Sequence, residues 1–313
     1  MRRVGCLFAG QGAQAVGMGR DLAERFPAAR ELFQRADDLL GYPLSRLCFE
    51  GPADQLTATE NSQPAIFTHS LAAAWSAWPR GEAPTVEVVA AAGLSLGEYS
   101  ALVFAGALTF DDGLKLVARR GQLMAEAGRK RPGTMASILG LADELVVELC
   151  EQVSAVGVVV AANFNCPGQV VVSGEVGAVR RVAELARQAD ALGVVELGVS
   201  GAFHSPLMGS AREELVRVLE GTPIERAQVP VVSNVTGEPM AEPQEIRKNL
   251  AEQLTQPVRW STCCRKVLTL GAEALYEIGP GSVLKGLMRR IDRSVGVTTV
   301  GTAAEVGLLR GAR

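Results

Sequence analysis

The sequence predicts an α/β fold with a mainly parallel sheet, in a large domain that carries a smaller inserted unit. Strand-like and helix-like segments alternate through most of the chain. The 313 residues leave room for a large domain and a subdomain. Hydrophobic residues make up 48% of the chain and charged residues 21%, so a sizeable core is available and disorder is not expected.

The first part of the chain, residues 1–130, shows this alternation. The predicted elements are a strand at Val4–Ala9, a helix at Leu71–Trp78, a strand at Val86–Ala92, and helices at Leu96–Phe104 and Asp111–Ala127. Asp111 and Asp112 lie in the first turn of the last helix, where the helix dipole favours acidic residues. A break is predicted at 128–133, which holds three basic residues, two glycines and a proline.

Between residues 131 and 199 the order of elements changes. The predicted elements are strand Thr134–Leu139, helix Ala142–Val153, strands Val158–Asn163 and Gln169–Ser173, helix Val176–Ala189 and strand Val194–Val199. The order βαββαβ is that of the ferredoxin-like unit. We therefore expect a subdomain at 131–199, inserted into a large domain formed by 1–130 and 200–313.

The last part of the chain returns to longer helices and short strands. The predicted elements are helices Pro206–Leu219, Pro243–Leu254 and Thr262–Leu270, and strands Val229–Ser233 and Leu275–Ile278. Ser205-Pro206 marks a helix start, because a capping hydroxyl is followed by proline at the first helical position.

Composition excludes several function classes. The net charge is −3 and the longest basic run is Arg129-Lys130-Arg131, which argues against a nucleic-acid partner. Six cysteines without a C-x-x-C pair, and only two histidines, do not support a zinc site; buried thiols in a reducing cytoplasm are expected. No segment is long and apolar enough to span a bilayer, and the apolar stretch before Gly10 predicts a strand and not a signal peptide.

The most informative motif is Gly93-Leu94-Ser95-Leu96-Gly97, a G-x-S-x-G pattern directly after a predicted strand. Such a pattern is typical of a nucleophile elbow, a sharp strand-to-helix turn that exposes the serine hydroxyl. The glycines remove Cβ clashes, and the amides that open the helix favour a developing oxyanion. Ser95 is therefore the candidate nucleophile.

A serine nucleophile needs a base, and the chain offers two histidines. His69 lies in an apolar stretch and is interpreted as a core histidine. His204 lies at a predicted strand-to-helix junction, where α/β proteins place their sites, and is the candidate base. No acidic residue stands out as its partner, so the third group is expected to be an amide or a main-chain carbonyl. That absence favours a transferase over a hydrolase with a full triad.

Several motifs together resemble the malonyl-CoA:acyl-carrier-protein transacylases. The matching segments are Phe8–Gly12, Gly93–Leu102, Arg120–Met124, Asn165–Val170, Gly201–Ser205, Ser233–Gly237 and Glu277–Gly281. The resemblance runs from the first strand to about Arg290. It implies an α/β-hydrolase-like large domain with a ferredoxin-like insert, and no metal or redox cofactor. The sequence departs from the family pattern at Leu94, a position where the family frequently has a histidine.

The resemblance also implies roles for individual residues. Ser95 would be acylated and His204 would be its general acid–base. The backbone N–H groups of Gln11 and Leu96 would form the oxyanion hole. Arg120 would bind the malonyl carboxylate through two parallel hydrogen bonds.

Three further residues are implied in the pocket. Gln253 would steady the histidine, by its carbonyl. Asn165 would shape the pocket, although a plain turn role before Pro167 explains it equally well. Phe203 would crowd an α-methyl branch and so favour malonyl over methylmalonyl groups.

The expected reaction is a ping-pong transfer of malonyl from malonyl-CoA to holo acyl carrier protein, for fatty-acid or polyketide synthesis. Two other functions stay open on the residues alone. A serine hydrolase of plain acyl chains would use the elbow but would gain nothing from a cation at Arg120. A carrier-protein-binding module with an inactive site would need none of Ser95, Arg120 and His204.

Overall fold

The computed structural model describes residues 1–79 and 86–311, and it has an α/β architecture with two sheets. The strands are β1 Arg2–Phe8, β2 Val86–Gly93, β3 Thr134–Leu139, β4 Val159–Cys166, β5 Gln169–Gly174, β6 Gly193–Glu196, β7 Val231–Val232, β8 Pro239–Met240, β9 Ala274–Ile278 and β10 Val297–Val300. The first seven helices are α1 Arg20–Arg25, α2 Pro27–Leu40, α3 Leu44–Glu50, α4 Ala53–Thr57, α5 Thr59–Ala77, α6 Gly97–Phe104 and α7 Phe110–Lys130. The others are α8 Asp143–Gln152, α9 Val176–Gln188, α10 Gly209–Glu220, α11 Pro243–Glu252, α12 Trp260–Thr269, α13 Val283–Ile291 and α14 Ala303–Gly311.

The larger sheet has six strands in the order β10-β9-β1-β2-β7-β8. All neighbours in it run parallel except β7 and β8. Strand β1 lies between β2 and β9, and Phe8 at its end pairs with Gly93 at the end of β2. Because parallel strands end at the same edge, the loop after β1 and the turn after β2 lie side by side.

The smaller sheet is antiparallel, with the order β4-β5-β3-β6. It has its own hydrophobic cluster with helices α8 and α9, made of residues between Ala136 and Ala186. Its edge strand β4 is joined to the segment before α12: the N–H of Phe164 donates to the oxygen of Val258 over 2.9 Å, and the N–H of Val258 donates to the oxygen of Ala162 over 2.8 Å. The smaller sheet thus lies beside the chain that follows α11.

Each predicted strand and helix corresponds to an element of the structure, but some bounds were wrong. Helix α7 continues through Gly128 to Lys130, so the predicted break begins too early. Glycine is needed at position 128, because a Cβ there would lie 2.4 Å from the oxygen of Ser200. Strand β6 ends at Glu196, where its pairing with β3 ends. The helix predicted from Pro206 begins as a 3-10 turn before α10.

Helix α5 is much longer than the predicted segment. It begins at Thr59 and contains Pro64, and nearly every residue in it is buried, including Ser62 and Gln63. A helix that is buried on all sides has no polar face, so the periodicity that marks amphipathic helices is missing. Among residues 1–79 and 86–311, no helix has the length and hydropathy needed to cross a membrane.

Candidate active site

Ser95 occupies a sharp turn between β2 and α6. Its φ is 50°, in the left-handed region that residues other than glycine seldom adopt. A Cβ on Gly93 would lie 1.9 Å from the carbonyl carbon of Gly97, and one on Gly97 would lie 2.2 Å from the oxygen of Phe8. Both glycines are therefore required for the strand, turn and helix to approach this closely.

Asn234 holds the turn from the side of β7. Its Oδ1 accepts a hydrogen bond from the N–H of Ser95 over 2.7 Å, and its Nδ2 donates to the oxygen of Gly93 over 2.8 Å. The side chain is fully buried, so both bonds are shielded from water. Asn234 lies in a motif that carries the resemblance, but the sequence did not reveal its role.

His204 lies within hydrogen-bonding distance of Ser95. Its Nε2 is 2.8 Å from Oγ of Ser95, and its Nδ1 is 2.7 Å from the main-chain oxygen of Gln253. Because a carbonyl oxygen can only accept, Nδ1 carries the proton and the neutral Nε2 faces the serine. Burial, together with the positive charge of Arg120, lowers the pKa of His204 to about 4.

Arg120 is almost completely buried on α7, and its guanidinium is directed at the serine. Its Nη2 donates to Oγ of Ser95 over 3.0 Å and to Oε1 of Gln253 over 2.9 Å. Its Nη1 donates to Oε1 of Gln63 on α5 over 2.7 Å, while Nε has no hydrogen-bond partner among residues 1–79 and 86–311. A buried cation beside a nucleophile is costly unless an anion is bound there.

Gln253 joins these groups. Besides its contacts with His204 and Arg120, its Nε2 donates to the oxygen of Ser95 over 3.0 Å and to Oε2 of Glu98. Glu98 is a fully buried residue in the first turn of α6. Neither Glu98 nor Gln63 was predicted as a site residue, although a charged residue directly after an elbow and a glutamine inside an apolar stretch are signals in the sequence.

The two residues predicted to supply oxyanion-hole N–H groups both lie at the site. Gln11 lies in the loop after β1 and lines the same cavity as Ser95, and Leu96 is the residue before α6. In the part of the chain that the structure describes, neither N–H donates to a protein acceptor. The side-chain Nε2 of Gln11 donates to Oγ1 of Thr59 over 3.2 Å, which anchors the loop to α5.

A cavity of about 400 Å³ leads to Ser95 between the two sheets. Leu94, Asn165 and Phe203 contribute to its walls, and Oδ1 of Asn165 is buried with no hydrogen-bond partner in the described part of the chain. The predicted residues therefore come together around one site, either in the cavity wall or through the hydrogen bonds described above. His69 is elsewhere: it is buried on α5, and burial lowers its pKa to about 4.

Comparison with known proteins identifies the family of this chain. The family described as "Acyl transferase domain" matches residues 6–311. A malonyl CoA-acyl carrier protein transacylase from Bacillus subtilis is 45% identical over 294 residues, which cover 94% of this chain and 92% of that protein.

Two solved structures are similar over nearly their whole length. An acyl carrier protein S-malonyltransferase from Vibrio cholerae has a TM-score of 0.92 at 39% identity, covering 99% of this chain and 100% of that one. A type II PKS acyl-carrier protein in complex with its malonyl-transacylase gives a TM-score of 0.94 at 39% identity, with complete coverage of both chains. The chain thus belongs to the acyl transferase domain family and, within it, to the malonyl-CoA:acyl-carrier-protein transacylases.

Proposed function

We propose that this chain transfers the malonyl group of malonyl-CoA to the phosphopantetheine thiol of holo acyl carrier protein, through a malonyl ester on Ser95. The observation that carries the proposal is the buried guanidinium of Arg120, whose Nη2 lies 3.0 Å from Oγ of Ser95. This cation has no use in a hydrolase of plain acyl chains.

The position of Arg120 matches the size of a malonyl group. In malonyl, one methylene separates the thioester carbonyl carbon from the carboxylate carbon, so these two atoms are about 2.5 Å apart. When Oγ of Ser95 has bonded to the first carbon, the carboxylate necessarily remains close to the serine. The guanidinium beside Oγ is there to bind it, and an acetyl group offers it nothing.

Acylation begins when Nε2 of His204 takes the proton from Oγ of Ser95. The oxygen attacks the thioester carbonyl, and the N–H groups of Gln11 and Leu96 stabilise the resulting oxyanion. The carbon–sulfur bond then breaks, and His204 returns the proton to the departing thiolate of coenzyme A. The main-chain oxygen of Gln253 keeps the imidazole in the required tautomer throughout.

The second half of the reaction reverses these steps with another thiol. His204 takes the proton from the phosphopantetheine thiol, the sulfur attacks the ester carbonyl, and the bond to Oγ of Ser95 breaks. The proton returns to Ser95, so the enzyme is regenerated without a metal or a redox cofactor. Phe203 in the cavity wall favours malonyl over branched acyl groups, and Asn165 helps to shape the same cavity.

The division into domains is part of the same proposal. An α/β-hydrolase-like domain comprises 1–130 and 200–313, and a ferredoxin-like βαββαβ subdomain comprises 131–199. The antiparallel order β4-β5-β3-β6 and the separate hydrophobic cluster of the smaller sheet support this division. We place the enzyme in the cytoplasm, since its six cysteines are all free and buried.

Intact mass spectrometry tests the function directly. Purified protein is mixed with malonyl-CoA or acetyl-CoA, and the wild type is compared with Ser95→Ala and Arg120→Ala. The expected result is a malonyl-sized adduct that forms on the wild type and is discharged by holo carrier protein, forms much more slowly on Arg120→Ala, and does not form on Ser95→Ala. Free coenzyme A and malonate without a lasting adduct would indicate a hydrolase. Binding of carrier protein without acylation would favour the binding module.

A further inference from the structure

Glu98 is a buried carboxyl group that the reaction described above does not use. It is completely inaccessible to solvent and lies three residues after the nucleophile. Its Oε2 accepts hydrogen bonds from Nε2 of Gln253 and, over 3.4 Å, from the N–H of Asn234. Glu98 therefore contacts both Gln253 and Asn234, the two residues whose side chains hydrogen-bond to the main chain of the turn at Ser95.

The side-chain amide of Gln253 has two possible orientations, which exchange its oxygen and nitrogen. In the structure, Nε2 faces the oxygen of Ser95 and the carboxyl group of Glu98, while Oε1 faces Nη2 of Arg120. The reversed amide would place its oxygen against two acceptors and its NH₂ group against a guanidinium. An ionised carboxylate only accepts, so it opposes the reversed amide more strongly than a neutral group would.

Resting on the acyl transfer proposed above, we infer that Glu98 is a positioning residue for the malonyl carboxylate. It fixes the orientation of the Gln253 amide, and this amide aligns the guanidinium of Arg120 with Ser95. Gln253 contacts the base, His204, through its main-chain oxygen and not through this side-chain amide. Loss of Glu98 should therefore affect recognition of the malonyl carboxylate more than the basicity of His204.

Glu98→Gln is the direct test, because it keeps the size of the side chain and removes its charge. Single-turnover acylation of Ser95 is measured by intact mass with malonyl-CoA and with acetyl-CoA. The assays are done at pH 8, above the pKa of about 7 to which burial raises the carboxyl group of Glu98. We expect malonyl transfer to fall about tenfold and acetyl transfer to change less than about twofold.

A double-mutant cycle with Gln253→Ala asks whether Glu98 acts through the amide. That variant removes the side chain but keeps the main-chain oxygen that bonds to His204. In the Gln253→Ala background, Glu98→Gln is expected to reduce malonyl transfer by less than about twofold, because the amide to be oriented is gone. Glu277→Gln is the matched control, since Glu277 is also a fully buried carboxyl group but bonds to the N–H groups of Leu284 and Lys285.

Three results would overturn the inference. They are an unchanged malonyl rate in Glu98→Gln, an equal loss with both substrates, and the same loss with and without the Gln253 side chain. If Glu98→Gln does not fold, Glu98→Asp replaces it, because the shorter carboxylate cannot reach Gln253 and the same pattern is expected. A wild type that forms no malonyl adduct would instead refute the acyl transfer itself, so the two failures are distinguishable.

Discussion

Nδ1 of His204 lies 2.7 Å from the main-chain oxygen of Gln253, where a catalytic triad would have a carboxylate. A neutral carbonyl selects the tautomer of the imidazole but gives less stabilisation to its protonated form than a carboxylate would. Arg120 adds a positive charge nearby, which disfavours protonation further. The site therefore keeps the imidazole of His204 neutral. The main-chain oxygen of Gln253 that contacts it is retained when the side chain at position 253 is replaced.

The titration of the two histidines should reflect this arrangement. Burial lowers the pKa of both His204 and His69 to about 4, so the competent, neutral form of His204 exists above that value and is lost as the pH falls through it. NMR of the two imidazole Cε1–H groups can follow both, because the chain has only two histidines. In Arg120→Ala, the midpoint of His204 should rise and that of His69 should not. A His204 midpoint near 6.5 in the wild type would contradict the assignment.

Substitution of Arg120 should separate malonyl from acetyl transfer. Two charge-assisted hydrogen bonds contribute roughly 3 kcal/mol, so Arg120→Ala is expected to lower kcat/KM for malonyl-CoA about 100-fold. Arg120→Lys keeps the charge but loses the paired donors, and an intermediate loss is expected. Acetyl-CoA is the control substrate in steady-state assays, and an equal loss with both substrates would argue against a carboxylate-binding role.

The glycines of the elbow should not tolerate a methyl group. Gly93→Ala and Gly97→Ala would each place a Cβ within 2.2 Å of main-chain atoms, so a loss of roughly 3 kcal/mol in the free energy of unfolding is expected. Gly286→Ala is the matched control, because nothing lies within 4 Å of its Cβ in helix α13. It should stabilise the protein by about 0.5 kcal/mol. Urea unfolding measures all three, and equal effects at the three positions would contradict the packing argument.

The size of Phe203 should control the acceptance of branched acyl groups. This side chain is 5% exposed and forms part of the cavity wall near His204. Phe203→Ala should raise the ratio of methylmalonyl to malonyl transfer about tenfold, in line with the 1–3 kcal/mol that one methyl group is worth (about 10- to 200-fold). Competition between the two thioesters in one reaction gives the ratio directly. A loss of folded protein would lower both rates equally and would leave the ratio unchanged. An unchanged ratio would remove Phe203 from specificity.

Much of the candidate site could be predicted from short stretches of sequence. Ser95 follows from a local pattern, because a strand, two glycines and a helix start are encoded by neighbouring residues. Its partners His204 and Arg120 were predicted by elimination and by the resemblance, and the structure brings their side chains to the serine. The long helix α5 and the end of α7 were misjudged, since their bounds depend on packing against distant chain segments.

The sequence by itself determined the alternation of strands and helices, the elbow at Ser95 and the family, because each depends on residues that are close together in the chain. Only the tertiary structure decided how Gln253, Glu98 and Asn234 surround the serine. These three residues come from different helices and loops, and their roles depend on hydrogen bonds between groups up to 158 residues apart in the chain. Orientation of a buried amide is a property of such contacts, and no local pattern encodes it.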